Sequence, residues 1–195
     1  MPIVWARRRD QHIVKYLLLQ PDGAATRTHL AEVFCPATAR PQAMQNLRTA
    51  CSTIRRAIGN VVGLPNVDAY FVAGDRLAFN RAAIVCDVER FRHHAACAEA
   101  DDAADGAHDA VAHLRAAERL YGHGLFAGDV SEPLFLAEAQ DLAALYARVL
   151  GRLSGMLIER GSLDLARGYA AKAHKLGLLP DAERGPQVHL RVAAS

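Results

Sequence analysis

The residues with the clearest binding chemistry lie in one segment, Pro41–Ile58, whose polar side chains carry amide, hydroxyl and guanidinium groups. Amide and guanidinium groups pair with the edges of bases, and hydroxyl groups and arginines contact phosphate oxygens. No acidic residue occurs between Cys35 and Asp68, so nothing in this stretch repels a phosphate backbone. On this segment alone, nucleic-acid contact and a merely solvated polar helix face are both open. The predicted contact residues are Arg40, Gln42, Gln45, Arg48, Thr49, Ser52, Arg55, Arg56 and Arg76.

Metal and catalytic chemistry are not expected. His93 and His94 are adjacent, so on a helix they point about 100° apart. His108 and His113 are five residues apart, whereas a helical metal pair needs a spacing of four. His123 lies in a Gly-His-Gly segment that lacks the lysine of a phosphate-binding loop. We therefore expect no metal, no cofactor and no enzymatic activity.

The elements that hold the polar segment follow from hydrophobic periodicity. Apolar side chains recur every three or four residues from Met44 to Ile58, which predicts a helix with one buried stripe and Gly59 as its C-cap. Three helices followed by a β-hairpin are the order typical of a winged helix, and this order favours the nucleic-acid interpretation. The other predicted elements are a helix over Asp10–Gln20, a helix after Thr26 as N-cap, a loop over Asn60–Asp68 and a hairpin within Ala69–Asn80 around Gly74-Asp75.

The second half has a different character, alanine-rich and almost wholly helical. The change falls at Asp87, so we predict two domains, residues 1–86 and 87–195. The fold class expected is mostly α, with a winged helix-turn-helix and its small hairpin first and an all-α helical-repeat domain second. The predicted helices are Val88–Ala100, Ala107–Tyr121, Leu134–Arg160 and Leu163–Leu176, separated by an acidic break at Asp101–Gly106, a loop at Gly122–Pro133 and a turn at Gly161.

Charge divides the chain in the same way. Of its 195 residues, those through Arg92 include 13 Lys or Arg against 7 Asp or Glu, and the remainder include 10 against 14. A basic half suits a polyanion, although this excess is moderate. The four cysteines show no metal-binding spacing and suit buried thiols in a reducing compartment. No apolar run reaches the roughly 18–20 residues of a membrane span, and no leader follows the N-terminal arginines, so we expect a cytoplasmic protein without a membrane partner.

One segment carries a specific resemblance. Asn46–Gly59, NLRTACSTIRRAIG, resembles the pattern N-L-R-R-A-L-S-R-L-R-R-A-L-G of regulators with a bacterial transcriptional activator domain, which include the Streptomyces antibiotic regulatory protein family. Thr49 and Thr53 depart from that pattern at positions where arginine is common. The hairpin segment is similar to the family's wing, and Asp87-Val88-x-x-Phe91 is similar to its domain junction. The matching positions are Leu47, Arg48, Ala50, Ser52, Arg55, Arg56, Ala57 and Gly59.

The resemblance continues through the second half. Ala117–Gly128, AERLYGHGLFAG, is similar to the motif A-L-x-L-Y-x-G-x-L-L-x-G, and residues 155–183 resemble a tetratricopeptide-like helical hairpin. Family members usually continue through further helices, whereas this chain stops soon after Val192. The last hairpin would then be incomplete, with an apolar edge that a second subunit covers or that lies exposed.

The resemblance implies a sequence-specific transcription regulator, an activator that binds double-stranded DNA at direct repeats. It also implies that the helical domain mediates homodimerisation and contact with RNA polymerase or another regulator. The alternative is a tetratricopeptide-like interaction scaffold whose winged helix no longer binds DNA, which the threonines and the modest charge favour. A weaker third interpretation is a regulator whose helical half holds a small-molecule effector.

Overall fold

The computed structural model describes residues 3–103, 107–121 and 133–175. Within these ranges the fold is mostly helical, with a small three-stranded antiparallel sheet, as the sequence predicts at this level of detail. The chain folds as two compact units, Met1–Cys86 and Asp87–Ser195. In the described part, every helix is too short or too polar to cross a membrane.

The first unit places three helices around the sheet. Strand order is β1-β3-β2, with both pairs antiparallel, and residue pairs such as Ala25 with Leu77 and Val72 with Ala78 fix the register. The elements are α1 (Arg8–Leu19), β1 (Ala24–Thr26), α2 (Arg27–Phe34), α3 (Arg40–Val62), a 3-10 helix (Leu64–Ala69), β2 (Phe71–Ala73) and β3 (Arg76–Phe79).

One continuous core joins these elements. Side chains from every helix and from β2 and β3 are shielded from water, and burial of this kind stabilises the fold by roughly 1.5–3 kcal/mol for each large apolar side chain. The fully buried members include Ile13, Leu17, Leu30, Ile54, Phe71 and Leu77.

The second helix begins as its sequence predicts. The Thr26 hydroxyl accepts a hydrogen bond from the His29 amide at 3.2 Å, which satisfies one of the amides left unpaired at a helix N-terminus. The hairpin around Gly74-Asp75 is also confirmed. The strand β1 and the 3-10 helix were not predicted. The expected loop over Asn60–Asp68 is instead the end of α3 followed by this 3-10 helix.

The end of α3 differs from the prediction. The helix continues to Val62, and the C-cap is Gly63, at φ +86°, rather than Gly59. Gly59 is buried inside the helix, where an added Cβ would lie 2.5 Å from Leu64 Cδ2. This glycine therefore permits close packing of the 3-10 helix and does not end α3.

The link after β3 ties the sheet to α1. The Arg81 guanidinium donates from Nη2 to the carbonyl oxygens of Leu18 at 2.7 Å and Gln20 at 2.5 Å. These carbonyls lie at the C-terminal end of α1, where intrahelical donors are absent. Arg81 therefore provides the hydrogen bonds and positive charge that a helix C-terminus favours.

Among its described residues, the second unit contains four helices: α4 (Asp87–Ala103), α5 (Ala107–Tyr121), α6 (Pro133–Glu159) and α7 (Leu163–Lys175). The predicted bounds of α5 are confirmed, whereas α4 extends into the expected break that begins at Asp101. Residues 104–106, 122–132 and 176–195 lie outside the described residues. They include most of the predicted loop at Gly122–Pro133, with His123 and the second half of the motif that begins at Ala117.

Aromatic side chains form the centre of this unit. Tyr121 of α5 stacks on Tyr146 of α6 with ring centroids 4.0 Å apart, and Phe91 of α4 lies 5.3 Å from Tyr121. Lys172 of α7 pairs with Glu118 of α5, which links the fourth helix to the second. At the α6–α7 turn, Gly161 has φ +72° and donates its amide to Ile158 O at 2.9 Å. The predicted glycine stop at this turn is confirmed.

A buried carboxylate in α1 leads to a stability prediction. Asp10 is 0% exposed, and neither carboxylate oxygen has a hydrogen-bond partner among the described residues. Burial raises the pKa of Asp10, and the charges of Arg9 and Arg7 and the nearby Thr53 hydroxyl offset only part of that effect. Because the folded pKa is raised, the ionised form destabilises the fold at neutral pH, and this cost disappears as the pH falls below the unfolded pKa of about 3.9.

We therefore expect Asp10→Asn to increase the free energy of unfolding at pH 7 by about 1 kcal/mol. The gain should shrink as the pH falls through the raised pKa of Asp10 and vanish near pH 3. Urea unfolding at several pH values measures it, and Asp75→Asn on the exposed hairpin turn is the matched control. A loss of stability at pH 7 would show that the carboxylate has an energetic role that its surroundings do not indicate.

Candidate nucleic-acid interface

The polar face of α3 is exposed along its length. Leu47, Cys51 and Ile54 point into the core and are at most 5% exposed. The opposite side presents amides, hydroxyls and guanidinium groups to solvent, which is the separation that the sequence pattern predicts. The exposed residues on this face are Arg40, Gln42, Gln45, Arg48, Thr49, Ser52 and Arg56.

The β2–β3 hairpin lies beside this face. Arg48 lines one cleft together with Met44 of the same helix and with Ala73, Gly74 and Asp75 of the hairpin. A polyanion that contacts Arg48 therefore also meets the hairpin turn. At the other end of the face, Arg40 lines a cavity of about 230 Å³ between α2 and α3.

Arg27 holds the hairpin against α3, and the sequence did not mark it as a site residue. Its Nε donates to Gly74 O at 2.6 Å, and its Nη2 donates to Ala73 O at 3.2 Å. Its Nη1 lies 3.9 Å from Cys51 Sγ on the buried side of α3. Because Arg27 is the first residue of α2, one guanidinium connects both helices to the hairpin turn.

Arg55 is paired with an aspartate. Its Nη1 lies 2.5 Å from Asp68 Oδ1 and donates to Phe71 O at 3.4 Å. The hydrogen bond between them raises the pKa of Arg55 and lowers the pKa of Asp68. Asp68 is the residue that ends the acid-free stretch, and it neutralises an arginine expected to contact phosphate.

Arg76 is paired in the same manner. Its Nη2 lies 2.6 Å from Asp22 Oδ2, and both side chains are more than half exposed. Hydrogen bonds from Arg76 and from the Ala24 amide lower the pKa of Asp22. This contact joins the start of β3 to the turn before β1. Arg76, the hairpin arginine predicted to contact phosphate, is therefore already engaged in an ion pair.

Three of the predicted arginines keep an unpaired charge. Among the described residues, Arg40, Arg48 and Arg56 make no ion pair, and all three are exposed. The positive potential of the face therefore comes from α3 itself and is concentrated on its solvent side.

The threonine hydroxyls on α3 are bound to the helix backbone. Thr49 Oγ1 donates to Gln45 O at 3.1 Å, and Thr53 Oγ1 donates to Thr49 O at 2.8 Å. Each hydroxyl keeps lone pairs that accept hydrogen bonds, but its proton is already used. Gln42 Nε2 donates to Asn46 Oδ1 at 3.1 Å, which orients that amide along the face.

No protein-family profile, curated protein or solved structure matches this chain. The support for a function therefore comes from the residues and their geometry. The exposed face of α3 has no acidic residue and carries three arginines without ion pairs among the described residues, and it lies beside the β2–β3 hairpin that Arg27 holds in place.

Proposed function

We propose that the first unit is a winged helix-turn-helix that binds double-stranded DNA, and that the chain is a transcriptional activator. In this arrangement α2 and α3 form the helix-turn-helix, α3 enters the major groove, and the β2–β3 hairpin is the wing. The observation that carries the proposal is the exposed polar face of α3 with Arg48 at the hairpin cleft. A helix of this kind fits the width of the major groove, where amide and guanidinium groups distinguish base pairs.

The contacts divide into two kinds in this proposal. Gln42, Gln45 and Arg48 lie along the exposed face and carry the groups that pair bidentately with adenine or guanine. Arg40 and Arg56 supply charge for phosphates at either end of the face. Arg55 and Arg76 brace the fold through Asp68 and Asp22 and contribute less charge to the interface than the sequence predicts.

The second unit is proposed as a tetratricopeptide-like module for homodimerisation and for contact with RNA polymerase or another regulator. Its support is the resemblance of residues 155–183 to such a hairpin and the pairing of α6 with α7 around Gly161. Ile158, Leu163 and Leu165 at this turn are each at least half exposed, which suits a protein-interaction surface. Direct repeats in the operator would follow from side-by-side subunits.

The alternative is an interaction scaffold without DNA affinity. The two ion pairs favour it, because they neutralise Arg55 and Arg76, two of the arginines predicted to contact phosphate. The two proposals make opposite predictions for a single experiment, selection of bound sequences from random double-stranded DNA with the full chain. Enrichment of a common motif supports the regulator, and no enrichment supports the scaffold.

Salt dependence gives a second measure of the regulator. Each neutralised phosphate contributes a slope of about −0.9 to the plot of log binding constant against log salt. With two or three arginine contacts per subunit, we expect a slope of about −2 to −3 per subunit and a loss of roughly 15- to 60-fold between 50 and 200 mM salt. Fluorescence anisotropy with the selected site measures this slope. A slope near zero would contradict phosphate contact by α3.

A further inference from the structure

A cluster of histidines joins α4 to α5 in the second unit, where the proposed function assigns no role to them. His94 Nδ1 and His113 Nδ1 lie 2.9 Å apart, although the two residues are 19 positions apart in the chain. The His93 ring lies beside that of His94, with centroids 5.7 Å apart. The spacing of the histidines in the sequence does not predict this pair, because the two residues belong to different helices.

Asp101 lies on the opposite side of one of these rings. Its Oδ2 lies 3.7 Å from His113 Nε2 and has no hydrogen-bond partner within the described residues. A carboxylate on this side favours a proton on Nε2, so the lone pair of His113 remains on Nδ1, toward His94. A carboxylate behind a histidine ligand is common in metalloproteins, and here the two groups lie within ion-pair distance without a hydrogen bond.

Without metal, the 2.9 Å contact is a hydrogen bond between the two rings, so one Nδ1 atom carries a proton. A metal ion that binds between these atoms displaces that proton, as metal binding to histidine generally does.

We propose that His94 and His113 bind one divalent transition-metal ion between their Nδ1 atoms, with the Asp101 carboxylate favouring the His113 tautomer whose Nδ1 is free to bind. Metal–imidazole bonds are about 2.0–2.1 Å long, so nitrogens 2.9 Å apart subtend close to a right angle at a shared ion. That angle is the one between neighbouring ligands in the tetragonal sites preferred by Cu²⁺ and Ni²⁺, whereas tetrahedral Zn²⁺ requires a wider separation. Cu²⁺ also binds nitrogen ligands most tightly among the divalent first-row metals, so it is the probe ion.

The protein supplies two ligands, and water completes the site. In the part of the chain that the structure describes, no three His, Cys, Asp or Glu side chains converge in a metal-binding arrangement. Since the ligands come from α4 and α5, a bound ion links two helices and stabilises the folded unit by mass action.

The test uses the full chain, stripped of metal with a chelator and titrated with CuCl₂. We expect a rise in the unfolding temperature that saturates with Cu²⁺, and an electron paramagnetic resonance spectrum with hyperfine coupling to two imidazole nitrogens. Asp101→Asn should weaken Cu²⁺ binding by about 10-fold, the lower end of the effect of losing a carboxylate behind a histidine ligand, because the 3.7 Å contact is longer than a hydrogen bond. His94→Gln and His113→Gln should each weaken it more than Asp101→Asn does.

His174→Ala is the matched control, because His174 is an exposed histidine on α7. It should leave Cu²⁺ affinity unchanged. The proposal is overturned if the stripped protein shows no saturable Cu²⁺ binding, or if the glutamine variants bind as tightly as the unaltered chain. The second result would identify another histidine or the terminal amine as the ligand. Circular dichroism of each variant without metal confirms that the helices are intact.

Discussion

Replacing Arg48 with alanine will weaken binding to the DNA sequence selected by the full chain by about 1–3 kcal/mol, or roughly 5- to 150-fold. Arg48 is exposed on α3, lies in the cleft against the hairpin turn, and makes no ion pair among the described residues. Its charge and its fork of donors are therefore both available to DNA. The measurement is fluorescence anisotropy at fixed salt, with the unaltered chain as reference.

The control for charge is Arg148→Ala, which removes an exposed arginine from α6 in the other unit. It should change affinity by less than twofold. Arg48→Lys separates the two roles, because lysine keeps the charge but lacks the fork. If Arg48 pairs with a guanine, the lysine variant should relax the preference at one base position, whereas phosphate contact alone would preserve the selected motif. Unchanged affinity in Arg48→Ala would remove the central support for DNA binding.

The sequence predicts α3 well because the evidence for it is local. A stripe of apolar residues every three or four positions buries one side of a helix and fixes which polar groups face solvent. The same reasoning predicts the C-cap of α3 too early. Glycine commonly ends a helix, but Gly59 lacks a side chain for another reason, which is to leave room for Leu64. Leu64 belongs to a 3-10 helix that the hydrophobic periodicity does not indicate.

Charge at the site was less predictable, since ion pairs form across the fold. Arg55 meets Asp68 and Arg76 meets Asp22, at sequence separations of 13 and 54 residues. An acid-free stretch of sequence therefore does not imply an acid-free surface. The second pair spans the β1–β3 pairing, in which Thr26 lies opposite Arg76, so the Arg76 side chain extends along β1 to reach Asp22 in the preceding turn.

The histidine pair illustrates the same limit. Spacing rules compare positions on one helix, and His94 and His113 come together only because α4 and α5 pack side by side. The Thr26 cap and the Gly161 turn, by contrast, are predicted correctly from the sequence, because the hydrogen-bonded groups in each are only three residues apart.

Arg27→Ala is expected to detach the hairpin from α3. The substitution removes two hydrogen bonds from a charged donor to the carbonyls of Ala73 and Gly74. Hydrogen bonds to charged groups contribute about 1.5–3 kcal/mol each, and partial exposure lowers that contribution. We expect the free energy of local opening of the hairpin to fall by about 2 kcal/mol, which corresponds to roughly 30-fold faster amide hydrogen exchange in β2 and β3.

Arg27→Lys distinguishes the guanidinium fork from simple charge. Lysine supplies a point charge on a flexible stem and is poorly shaped to hold both carbonyls, so exchange in β2 and β3 should remain faster than in the unaltered chain. Amides of α5, in the second unit, are the internal reference and should not change. If the hairpin amides exchange at their original rates in Arg27→Ala, the strand pairing with β1 alone fixes the hairpin. A second outcome is that these amides exchange faster in Arg27→Ala while affinity for the selected DNA falls less than it does in Arg48→Ala. The position of the hairpin would then contribute to DNA binding, and Arg48 would contribute more.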